Sequence, residues 1–295
     1  MEKYKQLFTR ARDLADDEDS ELMDVLWKLM FYSPKVPVKP YQRQQLDEAA
    51  KFRLKIADHY SDQEIMINGF RWGKGRHKIL LTHGWASKAA DLSDMIVALR
   101  QLPDVTLIAF DAPGNGSSEG ELSNLPLFTQ AVKAVINFHG QPDTLIGHSL
   151  GALANIAALQ EIRDFSSTLL ISLTPVISLK ESFLANMAAV HASTTTKKMM
   201  LRRIESYFNA PADSFDLNQT YHLDNQLKHW IAYDKGDRVS PYNYLKDFLE
   251  QHPSVLSQSY ANVGHDRILK DPEVITDILK RVYTQIIQNQ ANIAI

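Results

Sequence analysis

The chain has no cysteine. Disulfides, thiolate zinc sites and cysteine nucleophiles are therefore excluded. It also lacks a surplus of positive charge: 32 basic residues stand against 35 acidic ones, a net charge of −3. Nucleic acid and anionic membrane surfaces are thus not expected partners. No stretch approaches the roughly 20 consecutive apolar residues of a membrane span. The opening residues MEKYKQLFTRARDLADDEDSEL lack the apolar core of a secretory signal. A cytoplasmic location without membrane insertion is the expectation. The zinc-protease pattern H-E-x-x-H and the phosphate-binding pattern G-x-x-x-x-G-K-[ST] are missing too. No internal repeat and no long low-complexity tract interrupts the chain.

What is present is ordinary in amount and informative in arrangement. Of the 295 residues, 44% are hydrophobic and 23% charged, values typical of a globular protein. That length suffices for one large core. Residues 1–60 read as a helical extension. Lys3 to Arg12 and Ser20 to Phe31 have helical spacing, with Leu22, Val25, Leu26 and Leu29 on one face. The acidic run Asp16 to Asp19 separates them, and the proline-stiffened connector Ser33 to Pro40 follows. A further helix is expected over Gln44 to His59. The extension has two readings: a partner or homodimer surface, or helices that bury their apolar face on the main domain.

From residue 61 strands and helices alternate. The strands expected are Glu64–Trp72, Lys78–Thr82, Val105–Phe110, Thr144–Ile146, Thr168–Leu173, Trp230–Tyr233 and Val255–Tyr260. Between them, Lys88–Leu102, Leu127–His139, Ala152–Ile162, Tyr242–Glu250 and Pro272–Gln288 read as helices. Strands that are apolar throughout belong to a parallel sheet covered on both faces. The fold class is therefore α/β, a mostly parallel central sheet between helices. Alternation pauses over about 176–228, where Glu181–His191 and Lys197–Asn209 look helical. An insertion of that size suits a small helical cap on a catalytic domain spanning 61–295.

The chemistry centres on Gly147-His148-Ser149-Leu150-Gly151. This is G-x-S-x-G between a strand and a helix, a turn that projects a serine hydroxyl from a sheet end. The bland alternative is a serine that merely caps the helix. A nucleophilic serine needs a base and an acid that orients the base. His265, in Gly264-His265-Asp266, follows one strand, and Asp237 follows another. Both would lie at the carboxyl edge of a parallel sheet, where Ser149 also lies. His265 could instead be an ordinary loop histidine. Asp234 competes with Asp237 for the acid's role, or closes the turn with its side chain. The order Ser149, Asp237, His265 matches neither chymotrypsin nor subtilisin.

Four separated motifs now carry a resemblance: His83-Gly84-Trp85, Asp111 to Ser118 (DAPGNGSS), the elbow at Ser149, and Asp237 with Gly264-His265. The chain resembles the α/β-hydrolase superfamily, in its branch of single-domain serine hydrolases with a helical cap. The likeness covers about 64–285. Asn115 departs from the histidine often found there. The resemblance implies an oxyanion hole made by the backbone N–H groups of Trp85 and Leu150. It makes His83, Gly84, Gly147 and Gly151 supporting residues, with His83 buttressing the oxyanion loop and His148 packed in the elbow. It implies hydrolysis of carboxylic esters or thioesters through an acyl-enzyme on Ser149, with no cofactor or metal. The expected partner is a small-molecule substrate with an apolar acyl part. Phe183, Met187, Met199, Met200, Tyr207 and Phe208 could line its pocket, or simply form the core of small helices. Amide, lactone and carbon–carbon cleavage and perhydrolysis stay open on this architecture. So does a non-catalytic ligand-binding protein.

Overall fold

A computed structural model describes residues 2–15, 20–161, 167–223 and 227–293. The acidic run Asp16–Asp19 and the expected helix end at Ile162 lie outside these residues. Helices α1 (Glu2–Asp13), α2 (Ser20–Phe31) and α3 (Pro40–Asp47) come first. Strands β1 (Ala50–Asp58), β2 (Gln63–Gly73) and β3 (His77–Thr82) follow, then α4 (Ser93–Leu99), β4 (Val105–Phe110) and α5 (Leu125–His139). Next are β5 (Thr144–His148), α6 (Leu150–Leu159), β6 (Leu169–Leu173), α7 (Leu179–Ala189), α8 (Thr194–Phe208) and the short α9 (Leu217–Thr220). The chain closes with β7 (Lys228–Tyr233), α10 (Tyr242–Gln251), β8 (Leu256–Ser259), α11 (Gly264–Arg267) and α12 (Pro272–Ile293).

The described strands form one eight-stranded sheet, ordered β1-β2-β4-β3-β5-β6-β7-β8. β1 and β2 are antiparallel to their neighbours, and β3 through β8 pair in parallel. Alternate residues of the inner strands feed opposite faces, as the period of a strand requires. Leu80, Leu145 and Leu170 pack with α5, α6 and α10. Ile79, Leu81, Ile146 and Ile171 pack with α4 and α12. Burial on both faces is why these strands read as unbroken apolar runs. No described helix is long and apolar enough to cross a membrane.

One expectation fails. The helix foreseen over Gln44–His59 ends at Asp47, and Ala50–Asp58 is instead the edge strand β1. Phe52, Leu54 and Ile56 alternate with Lys51, Arg53 and Lys55. That period of two makes a half-buried strand and gives a helix no apolar face. β1 runs antiparallel to β2 from Ala50 opposite Arg71 to Asp58 opposite Gln63. It belongs to the sheet although it precedes residue 61. The helix expected over Lys88–Leu102 is also divided, into a 3-10 turn at Ala89–Leu92 and α4.

A third apolar cluster lies outside the two sheet faces. Leu22, Leu26 and Met30 of α2 meet Met187 of α7 and Met200 and Ile204 of α8 in one buried group. The helical hairpin α1–α2 and the segment between β6 and β7 thus share a core. Leu26 is fully buried in it. Leu26→Ala should cost about 2–5 kcal/mol of unfolding free energy, as deletion of a buried leucine side chain does. Urea unfolding of the full chain measures this. A loss below about 1 kcal/mol would mean that the hairpin is not part of the cooperative fold.

Candidate active site

Ser149 stands between β5 and α6 with φ +52° and ψ −121°. A non-glycine residue in that region is strained and needs surroundings that hold it. Its N–H donates to the carbonyl of Leu173 at the end of β6, 3.0 Å away. The glycines around it are demanded by close approach. A Cβ on Gly151 would lie 2.2 Å from the carbonyl oxygen of His83, and one on Gly147 would lie 2.5 Å from the Cα of Ala152. The turn can form only where both side chains are absent.

Asp237 follows β7, and His265 lies on α11 just past β8. Parallel pairing from β5 to β8 brings both to the edge that carries Ser149. His265 Nδ1 is 2.7 Å from Asp237 Oδ2, and His265 Nε2 is 2.9 Å from Ser149 Oγ. A carboxylate only accepts, so Nδ1 carries the proton and Nε2 accepts from the serine hydroxyl. Asp237 is fully buried at its side chain, while that of His265 is 12% exposed. Burial pushes the Asp237 carboxyl up, but the His265 bond and charge and the N–H groups of Ser240 and Val239 outweigh it and hold it below the ordinary range. Asp234, the competing acid, has a different task. Its oxygens accept from the N–H groups of Gly236 at 2.8 Å and Gly264 at 2.7 Å. It therefore ties the β7 turn to the loop that carries His265.

The two other histidines of the site are structural. His83 Nε2 accepts from the Ala112 N–H at 2.9 Å, and its Nδ1–H donates to the Gly84 carbonyl at 2.7 Å. This joins the loop after β3 to the loop after β4. Asp111 reinforces the joint by accepting from the N–H groups of Ala89 at 2.8 Å and Ser117 at 2.7 Å. Asn115 accepts from the hydroxyl of Ser33, so the segment after β4 also holds the N-terminal connector. His148 donates from Nε2 to the His265 carbonyl at 2.9 Å. Burial pushes its pKa down to about 3, with the neighbouring His265 adding to the effect. His148, His265 and Asp266 have donor atoms within 4.8 Å of one another. Both ring nitrogens of His265 are already engaged, by Asp237 and Ser149, so a cation there would have to displace one of those contacts.

Ser149 opens into a cavity of about 390 Å³, which Trp85 and Leu150 also line. Of the aromatic and methionine residues considered for a pocket, Phe183 and Phe208 reach it. Met187 and Met200 are buried in the core shared with the hairpin, and Met199 and Tyr207 are exposed. Tyr4, Leu29, Met30 and Phe31 also line the cavity. Sequence reasoning misses these four. Leu29 is visible on the apolar face of α2, but nothing local says what that face covers.

Residues 79–278 match the family model described as "Alpha/beta hydrolase family". The chain belongs to the alpha/beta hydrolase family. Solved structures of the same fold include an esterase of Pyrococcus furiosus, 16% identical over 88% of this chain and 98% of its own, with a TM-score of 0.58. Alpha/beta hydrolase domain-containing protein 10 from mouse is 15% identical over 81% of this chain and 99% of its own, with a TM-score of 0.59. A thermophilic esterase from Thermogutta terrifontis is 18% identical over 79% and 99%, with a TM-score of 0.53. At such identities the likeness is one of fold. A Dictyostelium discoideum protein named "Probable NADH dehydrogenase" is 28% identical over 125 residues, 41% of this chain. The chain spans only 27% of the length of that curated relative.

The buried histidines of this hydrolase make it acid-sensitive in a defined way. Burial lowers the pKa of His148 and of His229 to about 3. The unfolded chain, with imidazoles near 6.5, binds protons that the folded chain refuses. Stability should therefore fall as pH drops from about 6.5 towards about 3. His148→Gln keeps a donor for the His265 carbonyl and should flatten that slope. Denaturant unfolding at a series of pH values measures it; equal slopes for both proteins would refute the assignment.

Proposed function

We propose that this protein is a serine hydrolase of carboxylic esters or thioesters that works through an acyl-enzyme on Ser149. The observation that carries the reading is the unbroken chain from Ser149 to His265 to Asp237, with contacts of 2.9 and 2.7 Å, at an apolar cavity. The esterases among its structural neighbours agree with it.

In this mechanism Ser149 Oγ attacks the substrate carbonyl while its proton passes to His265 Nε2. The ionised Asp237 holds the tautomer and stabilises the imidazolium. The carbonyl oxygen becomes an oxyanion and accepts from the backbone N–H groups of Trp85 and Leu150. Leu150 is the first residue of α6, where the helix dipole favours negative charge. Each such donor contributes on the order of 3 kcal/mol to lowering the barrier. Collapse of the tetrahedral species breaks the carbonyl–oxygen or carbonyl–sulfur bond, and the leaving alcohol or thiol takes the proton from His265. Water then attacks the acyl-enzyme, giving its proton to His265, and the acid is released as Ser149 regains a proton. The reaction requires no cofactor or metal. In this reading α7 to α9 form the cap over the sheet edge.

Ser149→Ala should abolish both turnover of short p-nitrophenyl esters and labelling by a serine-directed phosphonate. Asp237→Asn should leave the fold intact and lower kcat about 10⁴-fold, because the wrong imidazole tautomer then faces the serine. Steady-state kinetics on the purified variants measure both, and wild-type turnover in Ser149→Ala would sink the reading.

A further inference from the structure

The cavity beside Ser149 is closed partly by residues from the first 31 positions of the chain. Tyr4 of α1 and Leu29, Met30 and Phe31 of α2 line it together with Phe183 of α7 and Phe208 of α8. We propose that the N-terminal helical hairpin is the wall of the acyl site: it receives a neutral, apolar acyl chain and sets the length that fits. This rests on the proposed Ser149 mechanism and adds to it the part of the chain that selects the substrate.

Three observations carry the inference. First, the hairpin is fastened in place. Its end is clasped to the segment after β4: the Ser123 N–H donates to the Phe31 carbonyl at 2.7 Å, the Ser33 N–H to the Glu121 carbonyl at 3.1 Å, and Lys35 Nζ to the Ser118 carbonyl at 2.6 Å. At its start, Lys3 pairs with Glu121 at 2.7 Å. Second, it shares one buried core with α7 and α8, in which Phe31 meets the rings of Phe183 and Phe208 edge-on at 5.6 and 5.9 Å. Interlocked side chains of this kind transmit and resist displacement as a unit. The wall that a substrate meets is therefore held in place by contacts within the chain. Third, its chemistry is apolar. Arg238 is the only charged residue among the described lining of the cavity, and it is adjacent in sequence to Asp237, outside the hairpin. A chain that reaches the hairpin meets hydrocarbon, a thioether and aromatic rings. A carboxylate ending at the hairpin would lose hydration against a wall whose lining residues, Tyr4, Leu29, Met30 and Phe31, carry no positive charge.

Met30 is the residue best suited to set the limit. It is 4% exposed, lines the cavity and has an unbranched side chain whose replacement by a larger ring would fill space directly. Tyr4 is only half buried, so truncating it threatens the fold less. The test is a series of p-nitrophenyl esters from acetate to dodecanoate on full-length wild type, Met30→Trp and Tyr4→Ala. Phosphonate labelling and thermal melting are measured in parallel. The ratio of specificity constants for octanoate over acetate should fall about tenfold or more in Met30→Trp, since fitting or losing a methylene changes specificity by about 10-fold or more. In Tyr4→Ala the best chain length should move upward. If Met30→Trp does not melt cooperatively, Tyr4→Ala decides alone. Unchanged chain-length profiles in folded, phosphonate-reactive variants would overturn the inference and leave the Ser149 mechanism intact. Wild-type turnover by Ser149→Ala would remove that mechanism itself.

Discussion

The carbonyl oxygen of His83 and the backbone of Ala152 leave no space for a side chain on either side of Ser149. The serine is thereby held at positive φ, at the end of β5 and the start of α6. This crowding is the constraint on which the rest of the site depends. The energetic cost of the strained residue, about 1–3 kcal/mol, is offset by the packed sheet beneath it. Gly84 belongs to the same constraint, because a Cβ there would come within 3.0 Å of the Ser149 Cβ. The loop after β3 thus lies directly against the elbow, which is where a donor for an oxyanion must be.

Around this turn the loops are joined by a small set of buried polar bonds. His83 and Asp111 tie the loops after β3 and β4. Asp234 ties the loops after β7 and β8, and His148 holds the carbonyl of His265 itself. Each of these bonds lies in a largely buried region, where losing it would be expensive. Together they fix the direction in which His265 faces Ser149. His83 and His148 both act on backbone groups. One that stays neutral to about pH 3 cannot serve as a proton carrier near neutrality.

The helical hairpin at the N-terminus and the helices α7 and α8 share a buried core of their own. The hairpin's attachment runs partly through Asn115, the residue that departs from the histidine often found at this position. Asn115 accepts from Ser33 and donates to the Pro113 carbonyl at 2.8 Å, so the amide serves the connector and the turn at once.

The inner strands are legible in the amino-acid sequence because burial on both faces leaves an apolar run with little else in it. The hydrolase motifs are legible because tight turns admit few residue types, so glycine, serine and proline mark them locally. β1 escapes such a reading because its alternation is carried by only Phe52, Leu54 and Ile56, and its strand state depends on pairing with β2. Asp237 and Asp234 sit in one turn three residues apart; the sequence favours Asp237 as the acid, and the path of the β8 loop brings Asp237 to His265 and the Gly264 N–H to Asp234. The α/β architecture, the elbow and the order of the candidate catalytic groups are written in the chain itself, because they depend on local backbone chemistry and on period. Which helices wall the cavity follows from the folded arrangement alone. Those contacts join residues of separate elements, far apart in the chain, and no local pattern records them.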